Sequence, residues 1–341
     1  MRKAVILLVS LSAGFALALA TLAQAAQPEV KAGAVSNTGG MVVYVAVDKG
    51  FFAKHGLNGK AIVRNTGPEL SKAVDTGEVD YGAANVGNIP AALERGLDVK
   101  AVVGYVGGSY AKSTDDNMLA IVVRPDSGIN SIADLKGKKV GTTFGSMNDV
   151  YLVLLARKAG LSETVVNRIN ASHPSMSALF DSGGIHAMAA WEPYVSNMLN
   201  KVKGSKLLIR GGDQVCFCTA LHGKPKTVYK DRSVTQKFVD AMSEAAAYVR
   251  DPKNLDEVGR IGSRYIRGMD ADLIKSTHKY WVYDMRLGKN SRKAFNESVK
   301  ILISQKKMKK PFDPAKYYDT SFIENTMKRH PEWFKDLPGE S

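Results

Sequence analysis

Short runs rich in β-branched residues alternate, from Val30 onward, with longer segments whose apolar positions recur at helical spacing. VKAGAV precedes GGMVVYVAVDKGFFAKHGL, KAIVRN precedes GPELSKAVDTG, VDYGAAN precedes VGNIPAALERG, and LDVKAVVGYV closes the series. Each pair reads as strand, turn and helix, because a period of two suits a pleated strand and a period near 3.6 suits an amphipathic helix. Strands alternating with helices imply parallel βαβ units. Gly56 and Gly96 each end a periodic stretch and precede a strand, the position of a left-handed helix C-cap.

NMLAIVVRPDSGI, residues 117–129, predicts a long strand broken at Pro125, after which SIADLKGKKVGTT opens a second series. Its members are KKVGTT, a helix from Met147 to Lys158, VVNRIN, a helix around Ser175 to Phe180, IHAMAA, WEPYVSNMLNKV and KLLIRG. QVCFCTALHG, from Gln214, is extended again, and from Ser233 the chain is mostly helical. The expected fold is α/β with two lobes: residues 26–124 plus 220–341 form the first, completed by the C-terminal helices, and 125–219 form the second. Two extended crossings, near 120–124 and 216–220, join them.

The first residues belong to neither lobe. Arg2 and Lys3 precede an uncharged apolar run to about Leu22, and Ala23-Gln24-Ala25 supplies small residues at a secretory cleavage site. Residues 1–25 are expected to be a signal peptide, and the mature chain to be a soluble periplasmic protein starting at Ala26. No later stretch approaches the roughly 18 consecutive apolar residues of a spanning helix. What remains is enough for two lobes of about 150 residues.

A formal net charge of +14 raises the question of nucleic acid. The basic residues are scattered, the densest cluster being QKKMKK at 305–310, and an exported protein meets little nucleic acid. A solvated basic surface is the expectation, with no nucleic-acid partner.

In open parallel sheets, ligands collect outside the carboxyl ends of the strands. Those ends carry Ser36, Asn37, Thr38, Gly39 and Gly40; Ala84, Asn85 and Asn88; Tyr105, Gly107 and Gly108; Gly145, Ser146 and Asn148; and Trp191 and Glu192. They are short hydrogen-bonding residues, glycines that admit a solute to the backbone, and two aromatics. Taken singly, Ser, Asn and Thr before a helix are ordinary N-caps; it is their convergence that suggests a site. With Asn117 and Cys216 from the crossings, the candidate ligand-binding set is Asn37, Thr38, Gly39, Asn85, Tyr105, Asn117, Gly145, Ser146, Asn148, Trp191, Glu192 and Cys216.

GGMVVYVAVDKGFFAKHGL, SIADLKGKKVGTTFGSMNDVYLVLLARKAGL and MAAWEPYVSN resemble, in this order, segments of the periplasmic solute-binding proteins of the nitrate, sulfonate, taurine and thiamine-pyrimidine ABC importers. The resemblance spans essentially the whole mature chain and implies the type II periplasmic binding protein fold, two α/β lobes joined by two crossing strands. It further implies a monomer that is not an enzyme and needs no cofactor. Such a protein closes on a small-molecule solute and delivers it to an inner-membrane ABC permease.

The resemblance does not name the solute. Gly145-Ser146 lacks the lysine and spaced glycines of a P-loop. Helix N-termini favour anions, but Arg64 is the only basic residue near a first-lobe strand end, whereas Asp115, Asp116, Asp149 and Glu192 crowd the candidate loops. A neutral or amine-bearing polar solute is therefore expected, with Trp191 and Tyr105 available to stack on a ring or a cation.

A second class is an enzyme, because a fungal thiamine-pyrimidine synthase shares this fold and carries a cysteine-rich run ending Cys-Phe-Cys at the returning crossing. Cys216-Phe217-Cys218 matches only the end of that run, and no lysine or histidine can be assigned to that chemistry. A regular strand would hold these two cysteines near the distance limit for a bridge, so buried thiols are expected. A metal site of Cys216, Cys218 and His222 lacks the usual spacing and a fourth ligand. No Ser/His/Asp or paired-carboxylate constellation stands out.

Overall fold

The computed structural model describes residues 27–162 and 164–340; the expected signal peptide, residues 1–25, lies outside them. Among the described residues, ten strands form two five-stranded sheets. The first contains β1 (Glu29–Val35), β2 (Asn58–Arg64), β3 (Tyr81–Asn85), β4 (Lys100–Val106) and β10 (Thr219–Gly223), in the order β2-β1-β3-β10-β4. The second contains β5 (Leu119–Val123), β6 (Lys139–Thr142), β7 (Asn167–Asn170), β8 (Ala187–Trp191) and β9 (Lys206–Arg210), in the order β7-β6-β8-β5-β9.

The two sheets share one plan. β1 pairs in parallel with β2 and β3, as β6 does with β7 and β8. In each sheet one strand runs antiparallel to its neighbours, and it is the strand delivered by a crossing: β10 in the first and β5 in the second. The expected boundary after residue 124 therefore moves back, because β5 pairs with β8 and β9, not with β4. β5 and β8 are buried along their whole length, as strands covered on both faces must be.

The helices longer than one turn are α1 (Met41–Asp48), α2 (Gly67–Thr76), α3 (Ile89–Glu94), α4 (Met147–Lys158), α5 (His173–Asp181), α6 (Tyr194–Lys201), α7 (Arg232–Arg250), α8 (Leu255–Tyr265), α9 (Ala271–Thr277), α10 (Lys289–Ser304) and α11 (Ser321–Arg329). Gly56 and Gly96 take the left-handed conformation, φ 73° and 101°, that a C-cap requires. The C-terminal helices cover the first sheet. Phe238 of α7 stacks on Tyr81 of β3 with ring centroids 4.1 Å apart, and Tyr265 of α8 stacks on Tyr44 of α1 at 4.4 Å. Among the described residues, no helix is long and apolar enough to cross a membrane.

The crossings lie side by side. The Asp115 amide donates to the Val215 carbonyl at 3.2 Å, and the Phe217 amide donates to the Asp115 carbonyl at 2.6 Å. The Asp116 carboxylate accepts from the amides of Asp213, Gln214 and Val215 at 3.1, 2.6 and 3.2 Å. Asp116, one of the carboxylates beside the candidate loops, is thus buried in the pairing of the crossings.

Candidate functional site

Between the carboxyl ends of the two sheets lies a narrow cavity. Asn37, Gly39, Asn85, Tyr105, Thr219 and Trp281 line it from the first sheet and its helices, Trp191 from the second sheet, and Phe217 from the returning crossing. Asn37 caps the 3₁₀ turn that leads into α1, its Oδ1 accepting from the Gly40 amide at 3.1 Å. The Asn85 Oδ1 accepts from the Gly87 amide at 2.9 Å. Gly39 must lack a side chain, because a Cβ there would lie 2.6 Å from the Trp281 ring.

Four rings form a row from one side of the cleft to the other. His173, the first residue of α5, stacks on Trp191 at 3.7 Å between centroids; Trp191 meets Phe217 edge-on at 5.6 Å, and Phe217 meets Trp281 edge-on at 5.5 Å. Every nitrogen of this row is buried without a hydrogen-bond partner: both of His173, and Nε1 of Trp191 and of Trp281. The Tyr105 and Thr219 hydroxyls on the same cavity are also unpartnered. Such groups cost about 1–3 kcal/mol each when left unmet, and Trp191, Trp281, Tyr105 and Thr219 bring four of them to one cavity. Burial pushes the Tyr105 hydroxyl well above the usual phenol range, keeping it a donor, and pushes His173 down to about 3, keeping the imidazole neutral.

The remaining sequence candidates lie elsewhere. Thr38 is buried under the C-terminal helices, its hydroxyl 3.4 Å from that of Thr277 and its carbonyl accepting from Tyr283. Asn117 is exposed, and its carbonyl accepts from Arg210 at 3.0 Å. Ser146 and Asn148 bond to each other, and the Asn148 amide donates to the Ala189 carbonyl at 2.8 Å, so both secure the start of α4 within the second unit. Glu192 is buried against Arg210 and also accepts from the amide and hydroxyl of Ser196, each at 3.0 Å. In each case a polar residue beside a helix start or strand end meets a local need of the backbone or of a buried charge.

The carboxylates offer nothing to an amine in this cavity. Asp115 accepts from the Gly108 amide at 2.9 Å, and Asp149 accepts from Arg168 and from Lys307, each at 2.7 Å. Burial pushes the Asp115 and Asp116 carboxyls above the usual range. Arg64 is engaged with Glu78. The amine-bearing alternative loses its motivation, since the acidic groups all have partners away from the cavity.

Cys216 and Cys218 form a disulfide, contrary to the expectation of buried thiols. The chain between them is not a regular strand, and their Cα atoms stand 4.9 Å apart instead of the roughly 6.6 Å of two strand residues. Cys216 is buried and does not line the cavity. His222 points to Tyr317, with Nδ1 3.4 Å from the hydroxyl. The Cys216, Cys218 and His222 metal site does not assemble, and no other group of three or more His, Cys, Asp or Glu among the described residues could hold an ion.

Beside the cavity runs an outer groove, where Gly145 lies with Pro68, Asn88, Phe144 and Arg168. Met147, at the start of α4, packs there against the turn after β3: a Cβ on Gly87 would be 3.1 Å from the Met147 Cα. Three further contacts bridge the two units. Lys307 reaches Asp149; Arg157 donates to the hydroxyl and carbonyl of Ser304, each at 3.2 Å; and the Tyr194 hydroxyl donates to the Ser36 carbonyl at 2.8 Å. The structure therefore shows the units in contact around the cavity.

Phe217, Thr219, Trp281 and His173 were not among the sequence candidates. Phe217 lies between the two cysteines of the crossing and Thr219 directly after them, while Trp281 follows a helix and has no motif around it.

The sequence profile of the family described as "NMT1/THI5 like" matches residues 37–254. A binding protein of Brucella abortus is 24% identical over 330 residues, 93% of this chain and 98% of its own. The 4-amino-5-hydroxymethyl-2-methylpyrimidine phosphate synthase THI12 of Saccharomyces cerevisiae is 25% identical over 221 residues, 61% of this chain and 62% of its own. Among solved structures, the alkanesulfonate-binding protein SsuA of Xanthomonas axonopodis pv. citri, bound to MOPS, superposes with a TM-score of 0.75 at 19% identity, covering 87% of this chain and all of that one. The fold is thus the type II periplasmic binding protein fold.

Proposed function

Because the chain belongs to the NMT1/THI5-like family, we propose that it is the solute-binding component of an ATP-driven importer, a periplasmic monomer that captures a small polar solute and hands it to an inner-membrane permease. The observation that carries this reading is the convergence of four unpartnered polar side chains, Tyr105, Trp191, Thr219 and Trp281, on a cavity to which both sheets contribute. The binding proteins among the relatives support the same class.

In this reading the units move as lobes about the paired crossings, and the Lys307–Asp149, Arg157–Ser304 and Tyr194–Ser36 contacts hold the closed form. A solute displaces that equilibrium only by its preference for the closed form, so contacts from both lobes are required. The experiment is a thermal-shift screen of the mature protein against a broad metabolite panel, with native mass spectrometry of any co-purifying solute. A binder gains stability by mass action; a panel with no stabilising member, from protein purified free of ligand, sinks the proposal.

A thiamine-pyrimidine-synthase-like enzyme is the second reading, favoured by the similarity to the yeast synthase. Against it, the thiols of Cys216 and Cys218 are joined and leave no thiolate at the crossing. Turnover of a pyrimidine product would decide for the enzyme.

A further inference from the structure

Resting on the solute-binding reading, we infer that Phe217 is an autoinhibitory plug: its ring fills the seam where a solute would bridge the lobes, so the unliganded protein closes on its own side chain. The space left between the sheet ends is ≈ 30 Å³, the share of a single water. No metabolite enters it while the ring is in place.

The ring is held from its base. The Phe217 amide donates to the Asp115 carbonyl at 2.6 Å, the Val86 amide donates to the Cys218 carbonyl at 3.0 Å, and the residues on either side of Phe217, Cys216 and Cys218, are joined to each other. A Cβ on Gly107 would lie 2.3 Å from the Phe217 carbonyl oxygen, so only a glycine, here at φ 83°, lets the two backbones approach so closely. The Phe217 ring is therefore carried by the first lobe, with Trp281 behind it, and Trp191 of the second lobe, with His173 behind it, meets it across the seam. Edge-on aromatic pairs attract beyond their buried area, so this contact favours closure with no solute present.

The plug is a poor match for the polar groups around it. Nε1 of Trp191 and of Trp281 and the Tyr105 and Thr219 hydroxyls are buried beside it without partners, and a phenyl ring has no lone pair to offer them. A polar solute that takes the ring's place gains those hydrogen bonds. Until then the self-closed molecules are withheld from binding, and the apparent affinity is reduced to the fraction that remains competent.

The test uses Phe217→Ala in the full mature chain, with Phe217→Leu as a second variant that keeps most of the apolar volume. Unliganded, both should show a larger radius of gyration in small-angle scattering and stronger acrylamide quenching of tryptophan fluorescence than wild type, the alanine variant by more, with far-ultraviolet circular dichroism unchanged. Any member of the metabolite panel that stabilises wild type should bind Phe217→Ala about tenfold more tightly. An unchanged radius and unchanged quenching in both variants overturn the plug, whatever the panel shows. Weaker binding by the opened variants also overturns it, since the ring would then belong to the solute site. A panel that stabilises neither wild type nor variant overturns the binder reading, and the plug with it.

Discussion

Lys307 Nζ lies 2.7 Å from Asp149 Oδ2, so the segment after α10 is tied across the cleft to the first turn of α4. Asp149 is almost fully buried and keeps Arg168 as a second partner on its own side. Lys307 belongs to the basic cluster 305–310, whose neighbours are anchored too: Met308 is buried, and the amides of Lys309 and Lys310 donate to Glu94 at 2.9 and 2.7 Å. Of the densest positive run of the chain, Lys307 makes the contact across the cleft, while Lys309 and Lys310 are held to Glu94 on their own side.

Lys307→Met should favour the open form. Asp149 retains Arg168, so the loss is a cross-cleft attraction of about 1 kcal/mol at this partly exposed rim, raising Kd about fivefold. Small-angle scattering of the unliganded variant should give a larger radius of gyration than wild type. An unchanged radius together with an unchanged Kd would show that this pair does not bear on closure.

Gly87→Ala tests the same closure from the other side of the cleft. A Cβ would sit 2.9 Å from Met147 Cε and 3.1 Å from Met147 Cα, across the cleft, and 3.0 Å from Asn85 Oδ1 on its own side. Solute affinity should fall at least fivefold while the unliganded Tm changes by less than about 2 °C, read by calorimetry and isothermal titration. A large drop in unliganded Tm would place the strain within one lobe instead.

Trp191→Phe removes a buried, unpartnered donor and keeps an aromatic ring against His173. If the Nε1–H serves the solute, affinity should fall about tenfold while Tm holds or drops only slightly. Equal affinity in variant and wild type would leave Trp191 as packing alone.

His173→Phe bears on pH. The folded imidazole titrates near 3, below its ordinary 6.5, because burial disfavours the charged form. Between these values the unfolded chain binds the extra proton, so stability is complete above 6.5 and is lost as pH falls toward 3. Relative to the variant, wild type should lose about 2 kcal/mol by pH 5. Taking the difference isolates His173 from His222, which is also pushed down to about 3, and from Asp115 and Asp116, whose carboxyls are pushed up and act in the opposite sense. Parallel stability curves from pH 8 to 5 would show that His173 finds solvent or a partner in the folded protein.

The alternation of strand and helix was legible because each element carries its own periodicity, and Gly56 and Gly96 mark helix ends through a backbone need that local sequence states directly. Asn37, Gly39, Asn85, Tyr105 and Trp191 could be placed at the cavity because the end of a parallel strand is a position in the chain as well as in space. Trp281 could not: it reaches Gly39 from 242 residues further along, and no periodic pattern reports such a meeting. Ser146, Asn148 and Glu192 were indistinguishable from ligand contacts in sequence, since a side chain serving its own helix and one serving a solute are the same residue types. The disulfide was missed because strand geometry was assumed where the backbone turns.

β10 takes its place between β3 and β4 only after the chain has passed through the whole second sheet, whose strands all fall between Leu119 and Arg210. During synthesis the N-terminal strands must therefore wait, with the edges of β3 and β4 unfilled, while the later-made unit already has every strand it needs. The half that emerges second can mature first, and the half that emerges first remains an unfinished, stickier intermediate until Thr219–Gly223 arrives.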